Sequence, residues 1–115
     1  MTDAELARHL AHAAGQMLLE LRSGPAEGKA LGAEGDSISN AFLVAELRRL
    51  RPDDAILSEE EAPDLARLQY ARVWLVDPLD GTREYGERRD DWAVHVALSI
   101  DGRIADGAVA QPSLD

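Results

Sequence analysis

The chain has 115 residues, no cysteine and a formal net charge of −10. A chain of this length suits one domain and can bury roughly 65% of the surface its unfolded form exposes. The acidity argues against a nucleic-acid backbone or an anionic membrane as direct partner, the lack of cysteine excludes disulfides and thiolate zinc sites, and no run approaches the ~20 apolar residues of a membrane span.

Asp3 and Glu5 stand where a signal peptide would need an apolar core, so a cytoplasmic protein is expected. Thr2 or Asp3 can cap a first helix. Leu6, Leu10, Ala13, Met17 and Leu21 recur on one helical face, and His9 and His12 near this stripe read as surface or packing residues. Ser23-Gly24-Pro25 stops the helix near Arg22. Residues Ser23 to Gly35 read as a Gly- and Ala-rich loop around Lys29, a functional lid or a linker. No Gly-Lys-Ser/Thr follows its glycines, so it is not a phosphate-binding P-loop.

Asp36 or Ser37 then opens a second helix, with a broad apolar stripe from Ile38, Ala41, Phe42, Ala45 and the leucines of Leu47 to Leu50. Taken locally, Asp36 reads as a plain N-cap. Arg48, Arg49 and Arg51 crowd the last turn, where cations suit the helix dipole, and Pro52-Asp53-Asp54 ends it. Ala55 to Ser58 is a short strand that runs into Glu59-Glu60-Glu61. Asp64 can cap a helical turn over Leu65 to Tyr70.

Val73 to Val76 is a buried strand, with Asp77 its last residue because Pro78 has no N–H for a ladder. Asp80 can cap a short helix after it. Trp92, Val94, Val96, Leu98 and Ile100 alternate with Ala93, His95, Ala97 and Ser99, the period of a strand. His95 reads as a packed or hydrogen-bonded core residue rather than a ligand. Asp101-Gly102 is a two-residue hairpin signal, and Arg103 to Ala110 the return strand. Helices followed by strands give an α+β class, with two N-terminal helices on one face of a mainly antiparallel sheet. The weakly charged hairpin wants cover on both faces, and the two helices can supply one.

Two strands therefore end in carboxylates. Asp and Glu oxygens are hard ligands suited to Mg²⁺ or Mn²⁺. Glu59, Asp77 and Asp80 would repel one another if packed together, and a divalent cation removes that cost. Two such ions about 3.5–4 Å apart can activate a water and steady a leaving oxygen. The Leu79 carbonyl is a further oxygen ligand, and Glu60 can hold a metal-bound water as an outer partner. Gly81 and Thr82 offer N–H groups to phosphate, and the Thr82 hydroxyl can orient the attacking water. In Asp-x-Asp-Gly-Thr phosphatases of the haloacid dehalogenase type the first Asp is a nucleophile. Here Pro78 occupies that place, which excludes that chemistry. A purely structural reading, with the acids as caps and turns, needs three elements to coincide by chance.

Asp77-Pro78-Leu79-Asp80-Gly81-Thr82 after an apolar strand resembles the signature of the inositol monophosphatase superfamily of Mg²⁺-dependent, lithium-sensitive phosphatases. Leu57-Ser58-Glu59-Glu60 is similar to its Glu-Glu element, and Asp36 to its metal-linked aspartate near the second helix. Arg83-Glu84-Tyr85 resembles the bisphosphate nucleotidase (CysQ-like) branch. The loop before Asp36 departs from the family's usual Lys-x-Asp-x-Ser-Pro-Val-Thr.

The resemblance implies the N-terminal half of an αβαβα sugar-phosphatase sandwich, with the C-terminal α/β half and its Trp-Asp ligand absent from these residues. It implies an enzyme that removes the 3′-phosphate of 3′-phosphoadenosine 5′-phosphate to give AMP, in sulfate assimilation. It also implies two or three Mg²⁺ ions, Mn²⁺ as a substitute and Li⁺ as inhibitor. Glu59, Asp77, Asp80 and the Leu79 carbonyl would be ligands, with Asp77 bridging two ions. Gly81, Thr82 and Glu59 would meet substrate and water, and Asp36 would be an outer or third-metal acid acting with Glu59 and Thr82 in catalysis. The alternatives are an inositol-1-monophosphatase, another sugar-phosphate phosphatase, or a non-catalytic metal-binding fragment. The expected partners are a small phosphorylated nucleotide or sugar, and a homodimer mate or a complementing C-terminal half.

Overall fold

The computed structural model describes residues 1–59 and 70–114. Its elements are α1 (Asp3–Arg22), α2 (Gly28–Leu50), β1 (Ala55–Ser58), β2 (Arg72–Asp80), α3 (Thr82–Gly86), β3 (Ala93–Ile100) and β4 (Arg103–Ala110). The four strands form one sheet in chain order, with β1 parallel to β2 and the other pairs antiparallel. This is the expected α+β arrangement. The helical turn expected over Leu65 to Tyr70 falls mostly outside the described residues, as does Glu60. None of the described helices is long and apolar enough to cross a membrane.

Thr2 caps α1 through a capping box. Its hydroxyl accepts from the Glu5 N–H at 3.1 Å, and its own N–H donates to the Glu5 carboxylate at 3.0 Å. The buried stripe of α1 is Leu6, Ala7, Leu10, Ala11, Ala14, Gly15 and Leu18. It is rotated from the stripe expected, and Ala13, Met17 and Leu21 lie at its margin. Small side chains face inward because the helix runs close to the sheet, and a Cβ on Gly15 would come within 2.5 Å of the Pro112 ring.

The second helix overturns the expected long loop. It starts at Gly28, with Glu27 as N-cap, so the connection after α1 shrinks to a few residues. Asp36 is therefore not an N-cap; it lies more than two turns inside α2. Local propensity disfavours glycine in a helix by roughly 1 kcal/mol each. Tertiary contact overrides it: Gly32 lies against Thr82, and Gly35 against Tyr85, Leu18 and Leu79. The buried face of α2 is Leu31, Gly32, Gly35, Ser39, Leu43, Val44 and Leu47, whereas Ala41 and Ala45 are exposed.

Trp74, Val76, Trp92, Val94, Val96 and Leu98 pack beneath the helices with Leu6, Leu10, Leu18, Leu31, Leu43 and Leu47. At the base of the fold Asp3 accepts from Arg51 and Arg72, both at 3.0 Å. Asp54 accepts from Arg72 and from the Trp74 indole, both at 2.9 Å. This network ties the start of α1 to the end of α2 and to β2. Asp101 and Gly102, at φ 51° and 81°, make the expected hairpin turn. A register shift beside Leu98 and Ser99 follows, opposite Asp106 and Ile104. On the sheet face away from the helices, Leu57, Leu75 and Ala97 are half-buried, and Ile104 and Val109 are 62% and 60% exposed.

Candidate active site

The strand β2 does not end at Asp77, as its proline suggested, but continues to Asp80. The register of β2 with β3 shifts between Asp77 and Asp80, so Pro78 falls where the ladder is irregular and needs no N–H. Gly81 follows at φ 86° and is the N-cap of α3, a role expected of Asp80. A Cβ at Gly81 would lie 3.0 Å from the Asp91 carbonyl, and the left-handed backbone disfavours any other residue.

This bend brings Asp77 and Asp80 to the sheet face opposite the helices. Asp77 is the cross-strand partner of His95. The His95 Nε2 lies 3.0 Å from Asp80 Oδ2. One ligand atom each from Asp77, Asp80 and His95 falls within 4.8 Å of the others. His95 is hydrogen-bonded, as expected, but it is not a core residue; its side chain is 40% exposed beside the acids. Glu59 continues the β1 ladder, donating its N–H to the Val76 carbonyl at 3.2 Å. Its side chain joins Leu57, Leu75, Asp77, Asp80, His95 and Ala97 around a cavity of about 480 Å³.

Burial, followed by the charges of Glu59 and Asp80, pushes the Asp77 carboxyl above the usual carboxylate range, with His95 pulling the other way. The two carboxylates and the imidazole of this group fit a divalent cation, which would relieve the repulsion that Asp77 bears, with Glu59 on the same cavity.

Thr82 stands beside this cluster. Its hydroxyl lies 3.1 Å from Asp36 Oδ2 and 3.2 Å from the Leu79 carbonyl, two acceptors that share its single proton. One further contact holds the bend against α2, and another ties β1 to α2. Ser39 donates to the Pro78 carbonyl at 2.7 Å, and Ser58 donates to Asn40. Behind Thr82, a second cavity of about 590 Å³ is lined by Lys29, Gly32, Asp36, Arg83 and Glu87. Tyr85 anchors α3: its hydroxyl donates to the Leu18 carbonyl at 2.7 Å, and its ring meets Trp92 edge-on at 5.0 Å. Burial pushes the Tyr85 hydroxyl up to about 12, so it remains a neutral donor.

The structure therefore brings Glu59, Asp77 and Asp80 together, with Asp36, Leu79 and Thr82 as an adjoining group. Sequence reasoning missed His95, Gly32 and Gly35. The alternation of β3 set the face of His95 relative to its own strand, but only the register with β2 put it beside Asp77. The glycine spacing of 32 and 35 was a helical signal that the loop reading discarded.

The model of the inositol monophosphatase family matches residues 2–115. A 3′-phosphoadenosine 5′-phosphate phosphatase of Mycobacterium leprae (strain TN) is 51% identical over 125 aligned positions, covering 98% of this chain and 46% of that protein. The 3′(2′),5′-bisphosphate nucleotidase CysQ of Escherichia coli (strain K12) is 38% identical over 81 residues, covering 70% of this chain and 33% of that protein. Among solved structures, CysQ of Bacteroides thetaiotaomicron superposes with a TM-score of 0.83 at 28% identity, over 96% of this chain and 40% of that one. Mycobacterium tuberculosis SuhB gives 0.78 at 27% identity, over 96% of this chain and 40% of that one. The chain spans less than half the length of these relatives, and it belongs to the inositol monophosphatase family.

Proposed function

We propose that this chain is the N-terminal, metal-binding part of a Mg²⁺-dependent phosphomonoesterase that cleaves the 3′-phosphate of 3′-phosphoadenosine 5′-phosphate to AMP and phosphate, as in sulfate assimilation. The observation that carries this reading is the convergence of Glu59, Asp77 and Asp80 on one cavity, with the Thr82–Asp36 pair next to it. The names of the relatives at 51% and 38% identity favour the nucleotide over an inositol phosphate.

Glu59, Asp77, Asp80 and the Leu79 carbonyl are the residues proposed to hold the ions, and Glu60 an outer partner. Bound Mg²⁺ would supply the positive charge that lets a phosphate dianion approach these acids. Thr82, by donating to Asp36, leaves its oxygen lone pairs free to accept a hydrogen bond from water and so orient the nucleophile. Gly81 and Thr82 are proposed to meet the phosphate through their N–H groups. The net charge of −10 makes nucleic acid and anionic membranes unsuitable partners. Cytoplasm is the compartment proposed.

Phosphate release from the nucleotide and from inositol 1-phosphate, measured side by side with Mg²⁺ on protein that includes a complementing C-terminal half, tests the reading. A preference for the nucleotide is expected. A preference for inositol phosphate overturns the branch, and no Mg²⁺-dependent release from either overturns the reaction.

A second reading has its own support. The face beyond the acids is open among the described residues, and the chain spans less than half of its relatives. By itself it would then bind metal without turning over. Phosphate release by the 115-residue chain alone, abolished by Asp80→Asn, would remove that reading.

A further inference from the structure

The expected ligand set was oxygen alone, yet a nitrogen reaches the same point. We propose that His95 Nε2 is a direct donor to the cation held by Asp77 and Asp80, so that this is a mixed oxygen–nitrogen site in which the imidazole strengthens Mn²⁺ binding more than Mg²⁺ binding. The proposal rests on the metal-binding reading above and goes beyond it in naming a ligand and a preference.

The placement of His95 follows from the backbone. Antiparallel pairing sets it opposite Asp77 on one face, and the irregular turn from Asp77 to Asp80 brings the second carboxylate round to the same side. The Nε2 to Oδ2 separation is 3.0 Å. Two donors at right angles around an ion about 2.1 Å away are about 3.0 Å apart, so this spacing suits neighbouring positions in a coordination sphere. The three ligand atoms lie within 4.8 Å of one another, close to the span of a single ion's donors. The ring lines the open cavity with Glu59, and its hydrogen bond among the described residues is to Asp80 itself. No other described partner holds it away from an ion. Ligation uses the Nε2 lone pair, so the neutral ring carries its proton on Nδ1. Imidazole is a softer donor than carboxylate and suits a transition ion better than Mg²⁺.

The test is pulsed electron paramagnetic resonance of Mn²⁺ bound to the 115-residue chain. Directly coordinated ¹⁴N coupling is expected, replaced by the ¹⁵N pattern when histidine is isotopically labelled. The other two histidines, His9 and His12, are exposed on α1, and a chain carrying His9→Gln and His12→Gln should keep the coupling. His95→Ala should remove the coupling and weaken Mn²⁺ by at least about tenfold, the least that losing even an outer partner of a ligand costs, with a smaller effect on Mg²⁺. The labelled His9→Gln/His12→Gln chain, whose one remaining histidine is His95, decides the matter even if the alanine variant fails to fold. Bound Mn²⁺ with no nitrogen coupling, or with only weak outer-sphere coupling, overturns the proposal and leaves the carboxylate site intact. Failure of the chain to bind Mn²⁺ at all overturns both.

Discussion

Thr82 and Asp36 are 46 residues apart in the chain and 3.1 Å apart in the fold, joined through the threonine hydroxyl. The contact links the third turn of a long helix to the first residue of a short one. It ties Asp36, which lies more than two turns inside its helix rather than at a cap, to the start of α3.

If that pair orients water, Thr82→Ala and Asp36→Asn should each lower kcat by about 10²–10⁴-fold in the active assembly, with KM little changed. Thr82→Ser keeps the hydroxyl and should recover most of the rate. Steady-state kinetics of the three variants checks this, and equal losses in the serine and alanine forms would contradict it.

Gly32 sets how closely the helix approaches. A Cβ there would lie 2.8 Å from Thr82 Cγ2 and 3.1 Å from its carbonyl oxygen. Gly32→Ala should therefore destabilise the fold by about 1–3 kcal/mol through overpacking, despite alanine's better helix propensity. Urea denaturation gives the sign directly; a more stable variant would mean that α2 can shift freely.

Asp77 has a raised carboxyl in the metal-free chain, caused first by burial and then by Glu59 and Asp80. A raised carboxyl binds its proton more tightly when folded, so it costs stability above its folded pKa and contributes nothing below the unfolded value near 3.8. Asp77→Asn should thus raise the metal-free melting temperature at pH 7, with the gain fading as the pH falls toward 4. The same variant should lose the Mg²⁺-induced rise in melting temperature that mass action gives the unsubstituted chain. Thermal melts with and without millimolar Mg²⁺ at the two pH values test both halves.

Asp3 shows the opposite sign. Burial pushes its carboxyl up, but hydrogen bonds from Arg51 and Arg72, and their charges, hold it below 3.8 overall. Its contribution is full above the unfolded value and is lost as pH falls through the folded one. Asp3→Asn should destabilise the protein at pH 7 by about 1–3 kcal/mol, since two guanidinium groups lose a charged acceptor. The difference from the unsubstituted chain should shrink in acid melts below pH 4.

The class of the fold and the acids of the site could be read directly from the residues. An apolar run broken by Asp77-Pro78-Leu79-Asp80-Gly81-Thr82 has few physical uses, and the period-two pattern from Trp92 with Asp101-Gly102 leaves little but a hairpin. These are local signals, carried by residues close together in sequence. What the tertiary structure decided was long-range. Gly28 to Gly35 became helix because contact with Thr82 and Tyr85 outweighs the poor propensity of glycine. The stripe of α1 turned toward its alanines because the sheet lies so near. His95 joined Asp77 and Asp80 because strand register, which depends on pairing between distant residues, fixes which side chains share a face. Sequence alone determined which groups are available for chemistry. Packing determined which of them meet.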